Sequence, residues 1–496
     1  MTSADVIVVG AGTAGCVVAA RLARAGRSVI VLEAGPDYGP SPAGWPADLL
    51  DAASLPTSHD WGFHGFGAGG RRLEYERAKV VGGCSSHNGC TQTAGWGPDY
   101  DRWPAENGVG WSAAELGPLF DRVAGDMAFQ HYAPHEVQPF HRAFLEACAA
   151  SGLPLVDDFG DLDGAQGAGC PPANAVDGVR RNTSFSYLDD ARSQPGFTII
   201  DRAEVTRVLL EGDRATHVEY VRDGSTSTVR GNEIVLCAGA YGSPVVLQRS
   251  GIGDPDRLRA AGIEPLVALP GVGRNLHDHP AAQIVLPATA LLRDRLEEFG
   301  RQRWLPEEQS VAKLRSPRSR GPYDLHVYPW VEADDGGWSC VFPVGLLTPR
   351  SRGSVSVVSG ELGDQPVIDS AFFSDADGDD IAAVRFGIRW TLDLLSHKRM
   401  SELVGPPSTG TPSRKTSDDE LDAWIRASHT HYWHPAGTCR LGAAGDPLAV
   451  VDHQARVLGV RGLRVADASL FPEIPRATPA WPTAVAGERV AQLMLG

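Results

Sequence analysis

Asp5-Val6-Ile7-Val8-Val9-Gly10-Ala11-Gly12-Thr13-Ala14-Gly15 opens the chain with a β-branched apolar run that breaks into three glycines. A short apolar run bounded by glycine reads as a buried parallel strand. Residues 14–25 then read as a helix of small and aliphatic side chains stopped by Gly26, and residues 28–33 as a second buried strand. The unit fills about thirty residues, as a βαβ crossover requires. Gly10 permits the tight turn, Gly12 lets backbone approach a pyrophosphate, and Gly15 lets the helix pack on the sheet. The first helical amides, at Thr13 and Ala14, face the phosphates. Glu33 ends the second strand, where a carboxylate accepts both ribose hydroxyls and argues against a 2′-phosphate, hence against NADP. The unit by itself leaves FAD and NAD open. Glu33-Ala34-Gly35-Pro36 running on into long loops favours FAD.

With 496 residues the chain calls for two domains. Hydrophobic residues make up 42% and charged residues 21%, ordinary globular usage that excludes wholesale disorder. A net charge of −16 without a basic footprint excludes nucleic acid as a partner. Eight cysteines are scattered singly, with neither metal-site spacing nor a disulfide framework, so reduced thiols in a cytoplasmic protein are expected. No apolar run approaches the roughly 20 residues of a membrane span, and the N-terminus has no signal-peptide pattern.

Further along, residues 36–72 are rich in Gly, Pro and Trp and read as covering loops. Residues 198–221 alternate like a hairpin turning at Glu211-Gly212-Asp213, and residues 233–238 read as a strand. A helix is expected to open at Pro244. Residues 288–330 are charged and without apolar pattern, and residues 341–358 read as sheet. Residues 379–395 read as an amphipathic helix, 463–465 as the last strand and 482–495 as a closing helix.

Arg77-Ala78-Lys79-Val80-Val81-Gly82-Gly83-Cys84-Ser85-Ser86-His87-Asn88 resembles the first signature of the glucose–methanol–choline (GMC) oxidoreductases, in its choline-oxidase-like form. Gly239-Ala240-Tyr241-Gly242-Ser243-Pro244, ending in Ser250-Gly251-Ile252-Gly253, resembles their second signature. Gly271-Val272-Gly273-Arg274-Asn275-Leu276-His277-Asp278-His279 and Asp467-Ala468-Ser469 are further family blocks, in family order over essentially the whole chain. The resemblance implies an α/β fold: a Rossmann-like FAD-binding domain with a parallel sheet, and a substrate domain of antiparallel sheet backed by helices. The expected division is residues 1–150, 195–285 and 435–496 for the FAD domain, and 151–194 and 286–434 for the substrate domain. By the same resemblance, Ala34, Val81, Gly82, Gly83, Ser86, Asn88 and Pro479 bind the cofactor. Val205 lies near the adenine, and Asp467 and Ala468 near the pyrophosphate and flavin. His87 corresponds to a histidine bonded to the flavin 8α-carbon, and a covalent link is preferred over simple packing.

His429-Thr430-His431-Tyr432-Trp433-His434-Pro435 resembles the family segment with the principal catalytic histidine, which maps onto His434. Alcohol oxidation needs a hydroxyl proton removed as hydride leaves the adjacent carbon for flavin N5, and a neutral imidazole can take it. His429 and His431 have weaker claims, and no carboxylate or cysteine set accompanies them, so no metal is expected. Eleven residues beyond Asp467, where the family places a second histidine or an asparagine, this chain has Thr478. A threonine can orient the alcohol but cannot act as its base. The expected function is therefore FAD-dependent oxidation of a small-molecule alcohol to a carbonyl. The electrons pass to a quinone, protein or dye acceptor or to oxygen, with a dehydrogenase slightly favoured. A peroxide-producing alcohol oxidase, a mycofactocinol-oxidising dehydrogenase and a non-redox, hydroxynitrile-lyase-like enzyme stay open as alternatives, as does the oligomeric state. Trp61, Phe63, His326, Tyr328, Trp330 and Phe342 are candidates to line a substrate pocket.

Overall fold

A computed structural model describes residues 3–40, 42–103, 110–334, 337–443 and 445–496. Its first sheet is built around the strand Ser3–Val9, which lies parallel between Val29–Leu32 and Ser225–Leu236. Phe197–Ile200 and Leu463–Val465 extend the parallel set on either side. The β-branched runs make this possible, because both faces are covered and their side chains are almost entirely buried. The hairpin Glu204–Glu211 and Arg214–Arg222 adds an antiparallel wing to the outer half of Ser225–Leu236. Residues 198–200 thus form a separate parallel strand rather than part of a hairpin arm.

Helix Thr13–Arg24 packs against the closing helix Ala480–Leu495. A Cβ on Gly15 would fall 2.0 Å from the Gly10 carbonyl oxygen, so only glycine lets the helix start this close to its strand. Arg21 ties the two helices by donating through Nε to both oxygens of Glu488, each at 2.9 Å.

The second sheet is antiparallel, in the order Thr430–His431, Pro280–Pro287, Gly337–Leu346, Leu325–Val327, Val311–Leu314 and Gly167–Gly169. Helices Asp379–Leu395, Pro139–Ala150 and Ala290–Gln302 contribute to its core. Helix Pro139–Ala150 falls on the FAD side of the expected boundary at residue 150, yet Phe140 and Phe144 lie in the second core. Pro280–Pro287 likewise joins the second sheet from its first residue, ahead of the expected boundary at 285. A third, four-stranded sheet pairs Phe63–Phe66 with Arg72–Tyr75 inside the region expected to be loop.

Two more differences have local causes. The second-signature helix runs Gly239–Arg249, starting five residues before Pro244. Proline cannot donate to the carbonyl four residues back, and the Thr438 hydroxyl donates to that Ala240 oxygen at 2.6 Å instead. In the charged stretch, helix Ala290–Gln302 is set by Thr289, whose side chain accepts from the Leu292 amide. Among the described residues, no helix is long and apolar enough to cross a membrane.

Candidate active site

A cavity of about 1010 Å³ runs from the carboxyl ends of the parallel strands to the second sheet. At the dinucleotide end its wall includes Gly10, Gly12, Thr13, Ala14, Glu33, Ala34 and Val205. Glu33 is buried, with Oε2 accepting from the Ala11 amide and Oε1 from the Gly35 amide, both at 2.8 Å. Burial pushes its carboxyl up to about 7. Gly83 reaches the same wall with φ +52, where a Cβ would fall 2.6 Å from the Gly12 Cα. The two glycine turns therefore touch, which leaves bare backbone along one side of the cavity.

Asp467 and Ala468 enter from the C-terminal block. Asp467 Oδ2 accepts from the Gly239 amide (2.9 Å) and the Ser243 hydroxyl (2.6 Å), and Oδ1 from the Ser469 amide (2.8 Å). One buried carboxylate thus ties the second signature to the last family block, although they stand more than 220 residues apart.

Gly15, Val81, Gly82 and Ser86 were expected among the cofactor-contacting residues, but they do not line the cavity. They shape the wall from behind. The Gly82 amide donates to Ala11 oxygen at 2.7 Å and the Val81 amide to Pro36 oxygen at 3.1 Å, so the first signature is hooked onto the opening turn.

At the other end, His87 and Asn88 line the cavity. His87 Nε2 and Asn88 Nδ2 are buried without a hydrogen-bond partner. Buried polar atoms in native proteins are nearly always satisfied, so this pair fits a bound group whose polar edge they would meet. Burial drops the His87 imidazole to about 4, which keeps it neutral with a free lone pair. Orphaned polar atoms, two abutting glycine turns and a buried acid at the strand end together fit FAD laid along the cavity.

His434 also lines the cavity. Its amide donates to both oxygens of buried Asp278 at 3.0 Å, and its Nδ1 lies 2.9 Å from Nδ1 of His279. Trp433 just before it adopts φ +57, a left-handed turn. Burial first, then the charges of His279 and Arg77, holds the His434 imidazole well below its ordinary value. With Nδ1 engaged, Nε2 is the nitrogen left for chemistry.

Asp278 and His279 were visible in a family block but were not singled out as partners of His434. His429 and His431, by contrast, pin backbone. The Ala68 amide donates to His429 Nε2 at 3.1 Å, and His431 Nδ1 accepts from the Trp433 amide at 3.0 Å. Among the described residues no group of three His, Cys, Asp or Glu could hold a metal ion.

Thr478 and Pro479 also line the cavity. Thr478 and Thr93 cross-bond: the Thr93 amide donates to Thr478 Oγ1 at 2.9 Å, and the Thr478 amide to Thr93 Oγ1 at 2.8 Å. The Thr478 oxygen accepts from the Thr93 amide, and the two threonine hydroxyls lie 3.4 Å apart. Of the aromatic candidates, Trp61, Phe63, Tyr328 and Trp330 line the cavity. His326 and Phe342 do not: they are at most 1% exposed, within the second sheet.

Residues 4–281 and 349–487 match the N- and C-terminal family models for GMC oxidoreductases. The chain is 34% identical to a choline oxidase of Arthrobacter globiformis over 526 residues, spanning 99% of this chain and 94% of the relative. It is also 34% identical to an oxygen-dependent choline dehydrogenase of Brucella anthropi over 535 residues, spanning 99% and 96%. Among solved structures, pyridoxine 4-oxidase from Mesorbium loti superposes with a TM-score of 0.85 at 28% identity, covering 98% of each chain. The chain therefore belongs to the GMC oxidoreductases and is an FAD-dependent enzyme acting on alcohol donors.

Proposed function

We propose that His434 is the base that takes the alcohol proton, with Thr478 orienting the alcohol oxygen. The observation that carries this reading is the His434–His279 contact at the cavity wall. If the Nδ1 proton of His434 is donated to His279, Nε2 keeps a lone pair toward the substrate. Asp278 fixes the backbone of both rings, accepting from the His279 amide at 2.6 Å as well as from His434. The Thr478 hydroxyl donates to the oxygen on which negative charge develops. FAD, when bound, supplies the hydride acceptor.

Oxygen as the final acceptor is supported by the names of the relatives, two of them oxidases and the third oxygen-dependent. This reading runs against the slight preference for a dehydrogenase drawn from Thr478. A cytoplasmic location suits the eight cysteines, all unpaired. The deciding experiment is anaerobic mixing of the holoenzyme with a panel of primary and secondary alcohols, followed by oxygen, a quinone or a dye. Bleaching of the flavin with carbonyl formation, and reoxidation by oxygen within turnover time, is the expected result. Carbonyl formed without bleaching would instead mark a lyase.

The neutral, unpartnered His87 nitrogen supports a bond to the flavin 8α-carbon. Acid precipitation of the purified enzyme is expected to leave the flavin in the pellet, and His87→Asn to release it into the supernatant. Flavin freed by acid from the unmodified enzyme would exclude the bond.

A further inference from the structure

Two residues before Thr478 stands Arg476, which is buried and has no part in the proton-transfer scheme. Its Nη1 pairs with Oδ1 of Asp99, itself buried, and its amide donates to Asp99 Oδ2 at 3.1 Å. One carboxylate thus holds both the side chain and the backbone of the same residue. The guanidinium carbon lies 4.9 Å from the ring centroid of Trp96, and the Tyr323 hydroxyl donates to the Arg476 carbonyl oxygen at 3.1 Å. Gly321 makes room for the fork: a Cβ there would fall 2.9 Å from Nη2 and 3.0 Å from Cζ.

Residues 93–99 and 474–478 are therefore fastened at two points, Thr93 to Thr478 and Asp99 to Arg476. A single point of attachment would leave so short a segment free to pivot, whereas two fix its direction as well as its place. On the far side of Arg476 the Ile474 amide donates to His277 Nε2 at 2.7 Å, so the segment is anchored at both ends. The ion pair is ill suited to stability alone. Arg476 Nε is buried without a hydrogen-bond partner, and a buried pair with an unsatisfied donor gains little over apolar packing. What the planar fork does supply is a defined orientation against its carboxylate.

We propose that Arg476 is a positioning residue for Thr478: clamped by Asp99, Trp96 and Tyr323, it sets the angle at which the Thr478 hydroxyl meets the alcohol oxygen. The inference rests on the reading of Thr478 as the group that orients the alcohol. A shift of an orienting group by about 1 Å is enough to slow a reaction about 100-fold. Because Arg476 acts through Thr478, its effect disappears once that hydroxyl is gone.

The test is anaerobic flavin reduction in the holoenzyme, with the best alcohol of the panel. In Arg476→Met the limiting rate is expected to fall about 100-fold, while the alcohol concentration that gives half of it changes by less than about threefold. Thr478→Ala is expected to lose about 100-fold as well. The double variant is expected to be no slower than Thr478→Ala, whereas independent effects would multiply to about ten-thousandfold. Arg476→Lys, which keeps the charge but not the fork, is expected to recover about tenfold of the loss. The acid limb of the rate profile, which belongs to His434, is expected at the same pH in every variant.

An unchanged rate in Arg476→Met, or losses that multiply in the double variant, overturns the proposal. So does an acid limb that moves in Arg476→Met, because the effect would then reach His434. A Thr478→Ala enzyme as fast as the unmodified one overturns the reading of Thr478 itself, and the proposal with it. Arg102 pairs with Asp99 from a more exposed position, so that carboxylate keeps a partner when Arg476 is replaced. If Arg476→Met nevertheless does not retain FAD, Arg476→Lys takes its place in the double-variant comparison, with a loss of about tenfold expected, and an unchanged rate in that variant overturns the proposal.

Discussion

His434→Ala is expected to slow anaerobic flavin reduction by about a thousandfold, within the range for loss of a positioned general base, while FAD content stays unchanged. The side chain is held by His279, and the glycine turns and Glu33 that form the dinucleotide wall make their contacts without it. Rapid-mixing absorbance at the flavin band measures the rate, and the flavin-to-protein ratio checks occupancy. Fast reduction in the variant would remove His434 from the mechanism. The pH profile has a definite sign. Burial lowers the His434 imidazole well below 6.5, so the base is already neutral at pH 7. The rate in the unmodified enzyme should therefore stay level from pH 8 to below 6.5 and fall only at lower pH. That acid limb should vanish in His434→Ala.

Gly83→Ala is expected to cut the FAD retained on purification to about a tenth or less. Gly83 has φ +52, a left-handed conformation that costs about 1–2 kcal/mol for a residue with a Cβ. The added carbon would also fall 2.6 Å from the Gly12 Cα, and the neighbour is backbone, which cannot rotate aside. The two turns must separate, and the bare wall between them is lost. Flavin absorbance relative to protein, with far-UV circular dichroism to verify folding, reads the outcome. A folded variant with full FAD would show that the contact between these turns is dispensable.

The elements legible in sequence are those whose signal is local. The opening strand, helix and strand, the helix Asp379–Leu395 and the strand Leu463–Val465 each have their periodicity and stop signals within a dozen or so residues. Helix Gly239–Arg249 was harder to bound, because the hydroxyl that makes Pro244 tolerable comes from Thr438. The hairpin at Phe63 was hidden by glycines that read as loop.

Within the cavity the same division holds. Glycine spacing and family blocks marked which segments gather there, but not which residues turn inward. Val81, Gly82 and Ser86 face away, while His279 meets His434 across 155 residues of chain and Thr93 meets Thr478 across 385.

Glu33 has a further consequence for how this enzyme acquires its cofactor. Its two oxygens already clasp the amides of Ala11 and Gly35, so the glycine turn and the loop after the second strand are stapled together by the folded chain itself. The ordering of those loops is thus charged to folding rather than to association. A turn and a loop already tied to one carboxylate lower the ordering cost that binding the nucleotide would otherwise carry.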